Sequence, residues 1–205
     1  AKRVYGWEWF GGGDHKGPIL LACQTPRDAS VRHHYSPLDA GRGCSRLLIE
    51  ECARHLPKGA PIVVRPHPRA KGALDGIDIP AAWTISSDGA LQDILPTCRA
   101  VVTVSSTVAT EALALGLPVA CLGRGAWYGS GAVLDCSEDP SQLATICDFE
   151  PDEWTVLRYL AAVLRHQIPH NASREEIGRN QSFRKWLERA GSKPARQTDF
   201  ADAVA

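Results

Sequence analysis

The sequence of 205 residues contains no methionine, no excess of either charge and no long apolar run. Lysine and arginine together number 23, as do aspartate and glutamate. A chain without net charge has no overall field to draw it onto nucleic acid or an anionic membrane, so any anion must be bound by a local group of residues. No apolar stretch approaches the ~20 residues that a transmembrane helix needs.

The start of the chain supports two further expectations. Residues 1–5 lack the apolar stretch of a secretory signal peptide, which predicts a cytoplasmic protein, with peripheral attachment to the inner membrane left open. Because no methionine stands even at position 1, we expect the sequence to be a piece of a longer chain.

The seven cysteines are odd in number and include no C-x-x-C pair. Most of them lie within apolar runs, which indicates reduced, buried thiols rather than a disulfide framework or a zinc site. Two groups of histidines, His33–His34 and His166 with His170, have no carboxylate or cysteine at ligand spacing. We therefore expect neither a metal ion nor another cofactor.

Short apolar runs alternate with amphipathic stretches from about residue 18 onwards. Such runs are typical of strands buried on both faces, and they predict strands over residues 19–23, 61–64, 83–85, 100–104 and 118–122. Apolar residues at helical spacing predict helices over 45–56, 90–95 and 107–115. Alternation over short connections predicts an α/β fold, a Rossmann-like doubly wound parallel sheet.

These patterns divide the chain into four parts. We expect a lead-in over residues 1–17, a Rossmann-like domain over 18–150, C-terminal helices over 151–191 and a polar tail over 192–205. Within the third part, apolar stripes predict helices over 152–167 and 174–190.

Hydroxyl groups follow the predicted strand 100–104, where a helix begins. Ser105, Ser106 and Thr107 would meet there the unpaired N–H groups and partial positive charge of a helix N-terminus, a combination suited to a phosphate. Glu111 lies one turn further along the same face, where a carboxylate can accept two ribose hydroxyls. The alternative is a Ser106 that only caps the helix and a solvated Glu111.

A histidine between two prolines follows the predicted strand 61–64. Because prolines restrict the backbone, His67 would be held at the carboxyl edge of the sheet, where its N–H can reach a phosphoryl oxygen. Arg65 and Arg69 add forked donors for a phosphate or a carboxylate. The alternative, a merely rigid turn, is the commoner use of such a segment.

Two more loops leave predicted strands at the same edge. The first carries Gln24 and Asp28, whose amide and carboxylate could read sugar hydroxyls, although loops of this composition are also ordinary turns. The second, residues 123–131, is rich in glycine and offers Trp127 or Tyr128 for stacking on a base or a sugar ring. It lacks the G-x-G-x-x-G order, which argues against dinucleotide binding.

Together these motifs resemble the capsule polysaccharide β-Kdo glycosyltransferase family of the KpsC and KpsS type. The matching segments are QTPRDAS (24–30), RPHP (65–68), SSTVATEALALGLPV (105–119) and GRGAWY (123–128), within about residues 18–135. Members of that family are similar to two-domain GT-B glycosyltransferases. The resemblance therefore implies that this chain is the C-terminal half, which binds the nucleotide sugar, and that its partner is an N-terminal half missing from the sequence.

The resemblance also implies a donor and residue roles. The donor would be CMP-Kdo and the acceptor a glycan or glycolipid of the bacterial surface. His67 and Asp28 would be catalytic. The residues expected to bind the nucleotide sugar are Gln24, Arg65, His67, Arg69, Ser105, Ser106, Thr107, Glu111 and Tyr128.

Two other functions fit the same residues. A UDP-sugar-dependent GT-B transferase or a nucleotide-sugar 2-epimerase also carries a His-Pro turn and a serine-rich helix start near a glutamate. A non-catalytic nucleotide-binding or assembly module would keep the crevice but transfer nothing, because a fold and a site do not by themselves establish turnover.

Overall fold

The structure is a computed structural model that describes residues 16–25, 36, 38, 41 and 43–166. The chain divides into two compact units, Ala1–Val156 and Leu157–Ala205. The predicted helix over 174–190 and the polar tail lie outside the described residues, as does the lead-in up to residue 15.

The first unit contains a sheet of six parallel strands. The strands are β1 (Ile19–Ala22), β2 (Ile62–Arg65), β3 (Thr84–Ile85), β4 (Ala100–Thr103), β5 (Val119–Cys121) and β6 (Leu134–Asp135). Their order across the sheet is β3-β2-β1-β4-β5-β6. This order confirms the predicted doubly wound α/β fold. It reverses direction between β1 and β4, and open α/β sheets bind ligands in a crevice beyond the carboxyl ends of the strands at such a reversal.

The two central strands explain why the apolar runs are continuous. Every residue of β1 and of β4 is buried, since both faces of the sheet are covered. Strand β6, which has only two residues, is not among the predicted strands.

The described helices lie close to the predicted positions. They are α1 (Cys44–His55), α2 (Leu91–Ile94), α3 (Val108–Ala114) and α4 (Glu153–His166), with 3-10 turns at Leu95–Thr97 and Pro140–Thr145. The predicted helix over 90–95 is only four residues of α-helix followed by a 3-10 turn, because Pro96 has no N–H to continue the α-helical bonds. No described helix combines the length and hydrophobicity needed to cross a bilayer.

All seven cysteines are free thiols, and six of them are buried, which confirms the expectation from sequence. Desolvation by burial raises the pKa of Cys23 and of Cys136 to about 12. Both thiols are therefore protonated at neutral pH and behave as small apolar groups. Within the described part of the chain, no group of three histidine, cysteine or acidic side chains is arranged to hold a metal ion.

Candidate functional site

The register of the sheet brings three predicted site residues to one level. Neighbouring residues of β2, β1 and β4 pair in a single row, formed by Arg65, Ala22 and Thr103. Two residues beyond this row, in the segments that follow the three strands, are His67, Gln24 and Ser105. Because adjacent strands lie about 4.8 Å apart, the ends of β2 and β4 flank that of β1 at a separation of roughly 10 Å. The segment that carries His67 thus leaves the sheet on one side of β1, and the hydroxyl-bearing loop leaves it on the other.

The Gln24 side chain links the segment after β1 to the segment after β4, the two strands between which the strand order reverses. Its Oε1 accepts a hydrogen bond of 2.6 Å from the backbone N–H of Ser105, and its Nε2 donates to the Ser105 hydroxyl at 3.3 Å. The Gln24 residue is only 2% exposed. Its carbonyl oxygen accepts a bond from the Cys44 thiol at the start of α1. The amide that sequence reasoning assigned to a sugar is therefore turned towards the backbone of the next loop.

A second bond crosses the same two strands. The Thr103 hydroxyl donates to the carbonyl oxygen of Ala22 at 2.9 Å, and Thr103 is fully buried. Sequence reasoning missed both Thr103 and Cys44 as supports of the site. The available signal for Thr103 was a hydroxyl at the end of an otherwise apolar strand.

The loop from Ser105 to Thr107 becomes more exposed along its length: Ser105 is buried, Ser106 is partly buried and Thr107 is exposed. The Ser106 hydroxyl accepts the N–H of Val108 at 3.3 Å and still has its own proton to donate. The N–H of Ala109 is bonded to the Ser106 carbonyl oxygen. Fewer backbone amides are thus available at this helix start than the sequence pattern predicts, and the hydroxyls are the better donors.

Helix α3 presents a polar face next to this loop. Thr107 and Glu111 are both exposed and lie one turn apart, while Ala112 and Leu113 are buried. The helix ends after Ala114, and Gly116 continues in the left-handed conformation with a φ of 74°, which favours glycine. Glu111 is therefore in a position that solvent or a ligand can reach.

The His67 ring is held in one orientation by its own turn. Its Nδ1 accepts the backbone N–H of Arg69 at 3.1 Å, and the His67 carbonyl oxygen accepts the N–H of Ala70 at 2.9 Å. With Nδ1 acting as an acceptor, the proton of the neutral ring is on Nε2. The turn therefore fixes His67 as an N–H donor through Nε2, and the ring is only partly buried.

The two arginines of this segment differ in their surroundings. The Arg65 guanidinium donates to the carbonyl oxygens of Asp88 and Gly89, at 2.9 and 2.6 Å, so it holds the loop that follows β3. The Arg69 side chain is exposed. Both terminal nitrogens of Arg65, which the sequence analysis assigned to a phosphate or a carboxylate, are thus bonded to backbone carbonyl oxygens. Arg69, by contrast, can reach a ligand from solvent.

The two aromatic residues of the glycine-rich loop after β5 differ in exposure. Trp127 is 4% exposed, and its ring packs on Gly125, where an added Cβ would lie 2.5 Å from the indole. Of the two residues predicted for stacking, Trp127 or Tyr128, the buried Trp127 is the less accessible to a ligand. Tyr128 is 37% exposed, with the Arg124 guanidinium 4.6 Å from its ring centroid, and Arg124 also pairs with Glu138. Asp28 lies outside the described residues.

An open pocket of about 280 Å³ lies further along the sheet, beyond β6. Its lining includes three carboxylates, those of Asp135, Glu138 and Asp139. Hydrogen bonds from the hydroxyl and N–H of Ser141 lower the pKa of Asp139, which keeps this carboxylate charged at neutral pH. Three acidic side chains disfavour a phosphate in this pocket, so the crevice between β1 and β4 is the better anion site.

Comparison with known proteins gives a family for this fold and site. The family model described as capsule polysaccharide biosynthesis protein matches residues 13–166. No curated protein matches the chain.

The solved structures that are similar to the chain include the following three. Two are described as Thermosulfurimonas dismutans KpsC, as a β-Kdo 2,7 transferase and a β-Kdo 2,4 transferase; they are 22% and 25% identical, cover 71% and 79% of this chain, and both give a TM-score of 0.49. The third, the glycosyltransferase SnogD from Streptomyces nogalater, is 18% identical, covers 84% of this chain and gives a TM-score of 0.40. The matches cover 54%, 47% and 43% of those three chains, so this sequence corresponds to about half of each.

Proposed function

The chain belongs to the family of capsule polysaccharide biosynthesis proteins, and we propose that it forms the nucleotide-sugar-binding half of a glycosyltransferase whose donor is CMP-Kdo. The observation that carries the proposal is the reversal of strand order beside β1, where the segment with His67 follows β2 on one side and the Ser105–Thr107 loop follows β4 on the other. Open α/β sheets bind ligands at this position.

The chemistry of the crevice suits a departing nucleotide. When the bond between sugar and phosphate breaks, negative charge develops on the phosphate oxygens of CMP. Donors that are already in place stabilise this charge without reorganising. The Nε2–H of His67 and the hydroxyls of Ser106 and Thr107 are the donors that we assign to the phosphate, and Arg69 adds a positive charge nearby.

The proposed ribose contact is next to the phosphate site. Exposed Glu111 is one turn from Thr107, where its carboxylate can accept the two ribose hydroxyls. The proposal assigns charge stabilisation to protein groups and includes no metal ion or cofactor. The acceptor, a glycan or glycolipid, would meet the donor between this half and an N-terminal half.

The choice of CMP-Kdo is supported by the four motifs that resemble the β-Kdo transferases. A UDP-sugar-dependent transferase or a 2-epimerase would use the same crevice for a different nucleotide. The nucleotide that the chain selects therefore separates these functions.

Thermal unfolding in the presence of nucleotides tests the proposal. We expect CMP to raise the melting temperature of the chain more than UDP or UDP-GlcNAc at equal concentration, because a ligand stabilises the native state it binds. At a ligand concentration of 100 times Kd the gain is about 2.7 kcal/mol. Preferential stabilisation by UDP would contradict the CMP assignment and favour the UDP-sugar alternative.

Binding without transfer is the outcome expected of a non-catalytic module. A protein that contains both halves should therefore also be assayed for transfer of Kdo. If it binds CMP but transfers nothing to glycan or glycolipid acceptors, the nucleotide-binding module is the better description.

A further inference from the structure

A single basic residue stands in a long acidic part of the chain. Between residues 123 and 152, Arg124 is the only lysine, arginine or histidine, and six aspartates and glutamates share this segment. Three of the acidic residues, Asp135, Glu138 and Asp139, line the open pocket beyond β6. A sugar that carries a carboxylate would be repelled from this part of the sheet unless a cation offsets that charge.

Arg124 lies next to the proposed phosphate site. The backbone N–H of Gly123 donates to the carbonyl oxygen of Val104 at 2.8 Å, which continues the pairing of β5 with β4 beyond their ends. In this register Thr103 pairs with Cys121, so Gly123 follows opposite Ser105 and Arg124 opposite Ser106. Arg124 is therefore next to the loop that carries Ser106, at the carboxyl edge of the sheet.

The Arg124 guanidinium contacts Tyr128 and Glu138, which both line the pocket beyond β6. Its carbon lies 4.6 Å from the centroid of the Tyr128 ring, and it forms an ion pair with the largely exposed carboxylate of Glu138. The Arg124 side chain is 18% exposed. An arginine restrained in this way loses little rotamer freedom when a ligand binds, which favours recognition of a second carboxylate.

We propose that Arg124 binds the carboxylate of an acidic donor sugar and thereby selects such sugars over neutral ones. The proposal rests on the proposed function, since Kdo is a sugar acid and its carboxylate lies close to the carbon that leaves the CMP phosphate. A guanidinium has five N–H donors, so it can contact Glu138 and a ligand carboxylate together. The other role open to Arg124 is to tether the β5 loop to the end of β6.

Calorimetric titration of CMP and CMP-Kdo distinguishes the two roles. We expect the wild-type chain to bind CMP-Kdo more tightly than CMP, and Arg124→Ala to weaken CMP-Kdo binding about tenfold while CMP binding changes less than about twofold. Arg99→Ala is the matched control, since Arg99 precedes β4 at the opposite edge of the sheet, and its affinities for both ligands should not change. Equal losses for CMP and CMP-Kdo in Arg124→Ala, or no loss for either, would overturn the proposal.

Two further variants separate charge recognition from tethering. Glu138→Gln breaks the ion pair but keeps the cation, so it should preserve the preference for CMP-Kdo, whereas a tether would make it behave like Arg124→Ala. If Arg124→Ala does not fold, Arg124→Lys takes its place and should lose part of the preference, because lysine keeps the charge without the fork. A wild-type chain that binds neither ligand would refute the proposed function itself, an outcome separate from loss of selectivity in the variants.

Discussion

Replacing His67 with alanine is expected to lower the rate of Kdo transfer at least a hundredfold in a protein that contains both halves. The structure fixes the ring through Nδ1 and leaves Nε2 as the proton-bearing donor. Loss of one preorganised donor to a developing anion costs about 3 kcal/mol in the transition state, which corresponds to a factor of about a hundred or more. The measurement is turnover at saturating donor, and near wild-type turnover would refute the role of His67.

Two amide variants test which ring nitrogen matters. In His67→Gln the amide can reach the place of Nε2 and donate, whereas in His67→Asn it lies nearer the place of Nδ1 and can accept the N–H of Arg69. We expect the glutamine variant to retain more activity than the asparagine variant. The reverse order would show that His67 serves the turn rather than the phosphate.

Replacing Gln24 with alanine is expected to lower both stability and nucleotide affinity. The change removes the acceptor of the Ser105 N–H and the donor to its hydroxyl, at a residue that is buried. An unsatisfied buried polar group costs about 1–3 kcal/mol, so the free energy of unfolding should fall by about that amount. CMP affinity should fall as well, because the loop that carries the phosphate donors loses its support.

Denaturant unfolding and CMP titration measure the two effects of the Gln24 change. The matched control is Gln142→Ala, at an exposed position of the 3-10 turn that follows β6, where the free energy of unfolding should change by no more than about 0.5 kcal/mol. Gln24→Glu keeps an acceptor for the Ser105 N–H and should be less harmful to stability than alanine. If Gln24→Ala leaves stability unchanged but abolishes sugar binding, Gln24 contacts the donor and does not serve as a support.

The sheet could be predicted because burial determines its sequence pattern. Strands β1 and β4 are covered on both faces and read as continuous apolar runs, and the turns after them are rich in polar residues. Parallel strands place such turns at one edge of the sheet, which is why the sequence predicts the site at that edge.

Side-chain orientation was the part that sequence could not provide. Gln24 and Arg65 have the chemistry to bind a ligand, but both are bonded to neighbouring backbone groups, and composition does not tell these uses apart. Trp127 is buried on Gly125 while Tyr128 is accessible, although they are adjacent in sequence. The position of Arg124 opposite Ser106 depends on the pairing of β5 with β4, which the sequence does not give.

A crystal structure of the chain with CMP is the most direct test of the crevice as a nucleotide site. We predict phosphate oxygens within hydrogen-bonding distance of His67 Nε2 and of the Ser106 hydroxyl, and the ribose hydroxyls on the Glu111 carboxylate. CMP bound in the acidic pocket beyond β6, or with its phosphate away from both His67 and Ser106, would contradict the account.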